Sequence, residues 1–172
     1  MNIHTSKLIF LIVVISMAMS AAIPALSATD QESSAITLQF NENIIIDNVD
    51  PVTISDPTPG DFALGTDSFC VAGTGFSTFG ITFANAGTDP SFFLISSNGT
   101  SPIMYDVLFS NSTGGIATPV TAGVPRQGLM LQASDCANNN ARFDIAIPFS
   151  DWGGRESDGP FTGTLVITVE SE

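Results

Sequence analysis

The residues with chemistry to offer are few. Cys70 and Cys136 are the two cysteines. Far apart in sequence and with no activating cation beside either, they read as one structural disulfide rather than a redox pair. Asp47, Asp50, Asp56, Asp61 and Asp67 form an acidic run, and Asp151, Glu156 and Asp158 a second. Calcium favours oxygen-rich loops of this kind, but no D-x-[DN]-x-[DN]-G spacing occurs, so both runs read as solvated acidic surface. Paired carboxylates also hydrolyse glycosides. A sugar cleft usually has aromatic platforms, and this chain has one Trp and one Tyr. Trp152 sits in the loop Asp151 to Pro160 close to Arg155. That pair reads either as a loop contact for a sugar or partner protein, or as a cap on the end of the fold. No metal, cofactor or catalytic residue is assigned.

What is missing narrows the function further. The one Lys (Lys7) and the one His (His4) lie in the first 28 residues. Beyond them, Arg126, Arg142 and Arg155 are the cations set against all 17 acidic residues, and the whole chain has a formal charge of −13. Without His or Lys there is no Ser-His-Asp or Cys-His arrangement, no usual zinc site, no Schiff base and no P-loop. A surface so acidic repels phosphate backbones, which excludes nucleic acid as a partner.

The elements that must position these residues read as strands. Residues 1–28 have the form of a secretory signal peptide: Lys7, an apolar run from Leu8 to Met19, Pro24, then small residues to Ala28. An exported compartment agrees with the cysteine pairing. Residues 29–172 then form one domain. Ile36, Leu38 and Phe40 alternate on one face, as do Phe79, Ile81 and Phe83, and Phe143, Ile145 and Ile147. Ile44 to Ile46, Ser68 to Ala72 and Gly128 to Gln132 are further strands. Ser91 to Ile95, the turn Ser97-Asn-Gly-Thr100 and the in-phase set Ile103, Tyr105, Val107 and Phe109 predict a hairpin over 92–109. Phe161 to Val169 reads as one closing strand. Asn98-Gly-Thr100 and Asn111-Ser-Thr113 are glycosylation sequons, the first also a hairpin turn. No window has helical periodicity, so the expected fold is an all-β, antiparallel Greek-key β-sandwich.

The residues around Cys70, the strand Phe79 to Phe83, and Phe93-Leu-Ile-Ser-Ser-Asn-Gly-Thr-Ser-Pro-Ile-Met-Tyr-Asp-Val107 resemble secreted pilin-like domains of the spore coat protein U type. The end, Gly159-Pro-Phe-Thr-Gly-Thr-Leu-Val-Ile-Thr-Val169, looks like their closing strand. The front, Ile36 to Phe40 through Val49-Asp-Pro-Val52, is similar to the N-terminal region of alternate chaperone–usher pilins. No cysteine precedes Cys70, and Ser171 stands where a pilin carries its penultimate aromatic, so the resemblance is to the wider superfamily.

That resemblance implies an immunoglobulin-like sandwich lacking one strand. Its groove would be filled by an extended N-terminal segment (about 29–40) of the next subunit, with Ile36, Leu38 and Phe40 as the donor-strand plugs. The implied partners are copies of itself or related subunits, a periplasmic chaperone and an outer-membrane usher. The same alternation would also suit the first strand of a complete sandwich. The expected function is thus a non-catalytic exported subunit of a pilus or surface assembly. The alternatives are a self-contained sugar- or protein-binding module and, from another class, a small secreted carboxylate hydrolase.

Overall fold

The computed structural model describes residues 31–39, 41–87 and 89–172. The signal-peptide reading of 1–28 and the plug Phe40 lie outside them. The chain divides at Leu38 into two units, and the body from Gln39 to Glu172 is described by itself. Residues 31–39 have no regular secondary structure, and Ile36 and Leu38 are 93% and 77% exposed.

The body is an all-β sandwich. In chain order its strands are β1 (Asn43–Asp47), β2 (Ala63–Thr74), β3 (Thr78–Asn85), β4 (Phe93–Ser96), β5 (Ile103–Met104) and β6 (Asp106–Ser110), followed by β7 (Thr118–Pro119), β8 (Arg126–Met130), β9 (Ala141–Ile147), β10 (Phe161–Thr162) and β11 (Leu165–Ser171). A four-residue helix, α1 (Phe149–Trp152), and a 3-10 turn (Glu156–Asp158) stand between β9 and β10, where a featureless loop is the sequence expectation. One sheet has the order β1-β2-β9-β6-β7 and the second β11-β3-β8, while β10-β4-β5 is a small third sheet. The pairings are antiparallel.

Phenylalanines lock the two larger sheets together. The strand alternation sends Phe69 and Val71 of β2, Phe143 of β9, and Val107 and Phe109 of β6 to the inner face of the first sheet. Phe79, Ile81 and Phe83 of β3 do the same from the second. Phe83 bridges the layers, its ring 5.4 Å from that of Phe109 and 6.3 Å from that of Phe143. Tilted pairs of this kind add to plain area burial.

Two predicted elements divide. The set Ile103, Tyr105, Val107 and Phe109 is buried together as expected. Only the first part forms the hairpin, with Phe93 opposite Met104. β6 leaves it and pairs with β9 in the other sheet, Phe109 opposite Phe143. Likewise Phe161 to Val169 is two strands: β10 pairs with β4 and β11 with β3.

Cys70 faces outward from β2 and is bonded to Cys136 in the loop before β9. That loop is pinned beside it. The β2–β9 ladder stops at Phe69 opposite Ala141. The carboxamide of Asn140 takes over from it, accepting from Val71 N at 2.9 Å and donating to Val71 O at 2.8 Å. Asn139 donates to Ser68 O and accepts from Asn48 Nδ2. The side chains satisfy backbone groups that the ladder leaves behind.

The disulfide spans 66 residues, and closing such a loop stabilises the fold by about 4 kcal/mol in the chain-entropy model. Replacing both cysteines by Ala is expected to lower unfolding stability by up to about that amount. Urea denaturation of the two proteins measures it.

A groove along an unpaired strand edge

β11 closes the second sheet on one side only. Its seven residues pair with β3, from Leu165 opposite Asn85 to Ser171 opposite Phe79. Among the described residues no ladder uses its other edge. The consequence appears in burial. Leu165, Ile167 and Val169 all point inward, yet each is only half-buried, whereas Phe79, Ile81 and Phe83 on neighbouring β3 are buried. A further strand alongside β11 would cover them.

The opposite wall is residues 49–57. The chain leaves β1 at Asp47 and runs extended past the inner face of β2. Two inward positions of β2 make room for it. At Gly65 a Cβ would collide with Val52 Cγ1 and lie 3.0 Å from Ile54 Cγ1. At Asp67 the carboxylate accepts a hydrogen bond from Asp50 N at 2.9 Å. Pro51 and Pro57 have no N–H to offer a neighbour. β1 and β11 converge at the other end, where Ser171 Oγ donates to Glu42 Oε2 at 2.8 Å.

Between these walls lies a cavity of about 1320 Å³. Pockets for drug-sized ligands are about 300–1,000 Å³, so this one has room for a longer molecule. Phe143, Ile145 and Ile147 of β9, with Ala63, Leu94, Ile103 and Tyr105, give it an apolar lining, and Trp152, Arg155 and Phe161 line it too. Asp50, Asp56 and Glu156 also border it.

Arg155 staples the loop after α1 to the β4–β5 turn. Its Nε lies 3.0 Å from Asp158 Oδ2, Nη2 donates to Thr100 Oγ1 at 3.0 Å and to Ser101 O, and its guanidinium sits 4.9 Å over the Phe161 ring. Ser96 Oγ completes the staple by donating to Asp158 O at 2.6 Å. Trp152 is 7% exposed, with the Phe149 ring edge-on at 4.9 Å. Trp152 thus lies inside, and the half-buried Arg155 is engaged within its own chain.

The acidic run also finds intramolecular work. Asp47 Oδ1 accepts from Asn48 N and Asp67 from Asp50 N. Among the described residues no three His, Cys, Asp or Glu are grouped as a metal site. Asn98 lies in the β4–β5 turn ahead of Gly99 at φ 72°, and Asn111 donates to Met130 O. Sequence reasoning assigned neither residues 49–57 nor the free edge of β11 to a groove wall. The sequence signal available for them was the half-polar inward phase of β2 at Gly65 and Asp67.

Arg155→Ala is expected to cost about 1–2 kcal/mol in urea denaturation, from the loss of a half-buried charged hydrogen-bond set. Arg155→Lys should recover less than half, because a point charge cannot span Asp158 and Thr100 together. Burial pushes the Tyr105 hydroxyl pKa above its usual 10.0. The folded form therefore resists ionisation that the unfolded chain undergoes. This contribution is fully present below about pH 10 and is lost as pH rises through the raised folded value. Tyr105 is the one tyrosine, so absorbance at 295 nm should titrate later in the folded than in the denatured chain. Coincident curves would contradict the assignment.

No family model matches the chain in sequence, and no curated protein matches it. In fold it is similar to a solved chain from a structure of the chaperone–tip adhesin complex of CFA/I fimbriae biogenesis, with a TM-score of 0.53 at 20% identity. The match covers 76% of this chain and 42% of that one, so the present chain spans less than half of its neighbour's length. That likeness is one of fold alone.

Proposed function

We propose that this protein is an exported, non-catalytic structural subunit of a pilus or other cell-surface assembly, and that it polymerises by donor-strand exchange. One observation carries the reading: β11 is paired along a single edge while its inward apolar residues stand half-covered over a large apolar groove. A strand edge left this way recruits another strand. The segment Ser34 to Phe40 of a second copy is the occupant, with Ile36, Leu38 and Phe40 as its plugs. The high exposure of Ile36 and Leu38 supports this, since large apolar side chains in extended chain gain most from a groove.

Each plug contributes about 1.5–3 kcal/mol on burial. Association costs about 4–15 kcal/mol in lost freedom, so side chains alone give a marginal complex. The main-chain bonds along β11 supply the rest. Before exchange, a periplasmic chaperone would cover the groove and an outer-membrane usher would receive the subunit. The fold likeness to a chain from a chaperone–adhesin complex supports partners of this kind. The apolar lining of the groove suits a strand better than a reacting substrate.

The purified exported chain is expected to give ladders on non-heated gel electrophoresis. Leu38→Asp should abolish them while leaving the melting temperature of the body unchanged. A stable, strictly monomeric natural chain would overturn the reading.

A further inference from the structure

We propose that the loop between β6 and β7, clipped to β8 by Asn111, guards the β8 edge against strand addition, so that β11 is the accepting edge of its sheet and the assembly does not branch. The inference rests on the donor-strand reading for the role of β11.

The sheet β11-β3-β8 ends in two edge strands, and among the described residues no ladder uses the outer side of either. An unpaired edge takes up strands unless something blunts it. At β8 the blunting is visible. Leu131 N donates to Ser77 O at 3.0 Å, so the preceding Met130, opposite Thr78, directs its main-chain groups away from β3 to the free side. The Met130 carbonyl is already taken, since Asn111 Nδ2 donates to it at 2.9 Å. Gln132, in the same phase, donates from Nε2 to Asn111 O. At the other end of β8, Arg126 Nη1 donates to Thr118 Oγ1 at 2.6 Å. The chain from 111 to 118 is thus tied to both ends of β8. Arg142 of β9 holds it from the other sheet, donating to Thr113 O at 2.8 Å and to Gly115 O at 3.1 Å. Between the two ties β8 is irregular. Gln127 and Gly128 together face the single Gly80, and Gly128, at φ 71°, gives its N–H to the Glu172 carboxylate at 2.8 Å. A bulge of this kind disrupts the edge as a template. β11, by contrast, pairs with β3 over seven residues in unbroken register.

Sedimentation velocity tests the guard in the full exported chain carrying Leu38→Asp, whose own donor segment is disabled. That chain should be monomeric. Adding Asn111→Ala with Gln132→Ala should give a concentration-dependent dimer, a doubling of mass, as two β8 edges pair. Asn111→Asp, which has no N–H for the Met130 carbonyl, is the milder variant and should do the same. Met130→Pro on top of either removes the outward N–H without touching the β3 ladder and should restore the monomer, whereas Met130→Thr should not. Guard variants that melt cooperatively but stay monomeric, or dimers that persist with Met130→Pro, overturn the proposal and leave the groove reading intact. Oligomers of the Leu38→Asp chain itself that Met130→Pro removes would show the β8 edge open in the natural fold, and overturn the guard. Oligomers of that chain that Met130→Pro leaves in place would overturn the donor-strand reading on which the guard rests.

Discussion

The hydrogen-bonding edge of β11 is the constraint on which the rest of this molecule turns. A strand within a sheet has neighbours on two sides. β11 has β3 on one side and an apolar cavity bordering the other. The sandwich therefore has two layers of unequal closure. Where β3 meets β2, β6 and β9, the phenylalanines are buried and interlocked. Where β11 should complete the second layer, Leu165 and Ile167 are half-covered. An isolated domain carries that edge as a liability; an assembling one uses it.

The walls of the groove are built at some expense to β2. A glycine and an aspartate occupy inward positions, 65 and 67, where a sandwich strand would ordinarily present apolar side chains. Both are explained by residues 49–57: Val52 and Ile54 need the space at Gly65, and Asp50 N needs the acceptor at Asp67. The extended segment is thus held in place by positions that weaken the strand beneath it. The disulfide and the Asn139–Asn140 pair restore strength further along the same strand, on its outward face and open edge.

How much of this was legible follows from the same physics. Alternation fixes which face a residue takes, and the shared burial of Ile103, Tyr105, Val107 and Phe109 followed from it. Alternation is silent about the neighbour, so the move of β6 out of the β4–β5 hairpin into the other sheet was not visible. β2 was read as Ser68 to Ala72, and its first residues were missed because Gly65 and Asp67 interrupt the apolar phase. Gly163 likewise marks where a single predicted closing strand becomes β10 and β11. The stretch from Val49 to Pro59 has no long strand alternation to mark it, because prolines and aspartates interrupt it, yet it lines the groove. Trp152 reads in the sequence as loop anchor or cap, and it is buried with the Phe149 ring edge-on to it.

The arrangement of cations has a consequence for resistance to proteolysis. From Gln39 to Glu172 the chain has no lysine and three arginines, so a protease that cuts after basic residues meets three peptide bonds. Arg142 lies in β9, flanked on both sides by β2 and β6, where cleavage requires opening the sheet. Arg126 is on β8, held along one edge to β3. Arg155 is in a loop, shielded by its own ties to Asp158, Thr100 and Phe161. The residue that fastens the end of the groove is thereby also a scissile residue, and its resistance to digestion reports whether that fastening is closed.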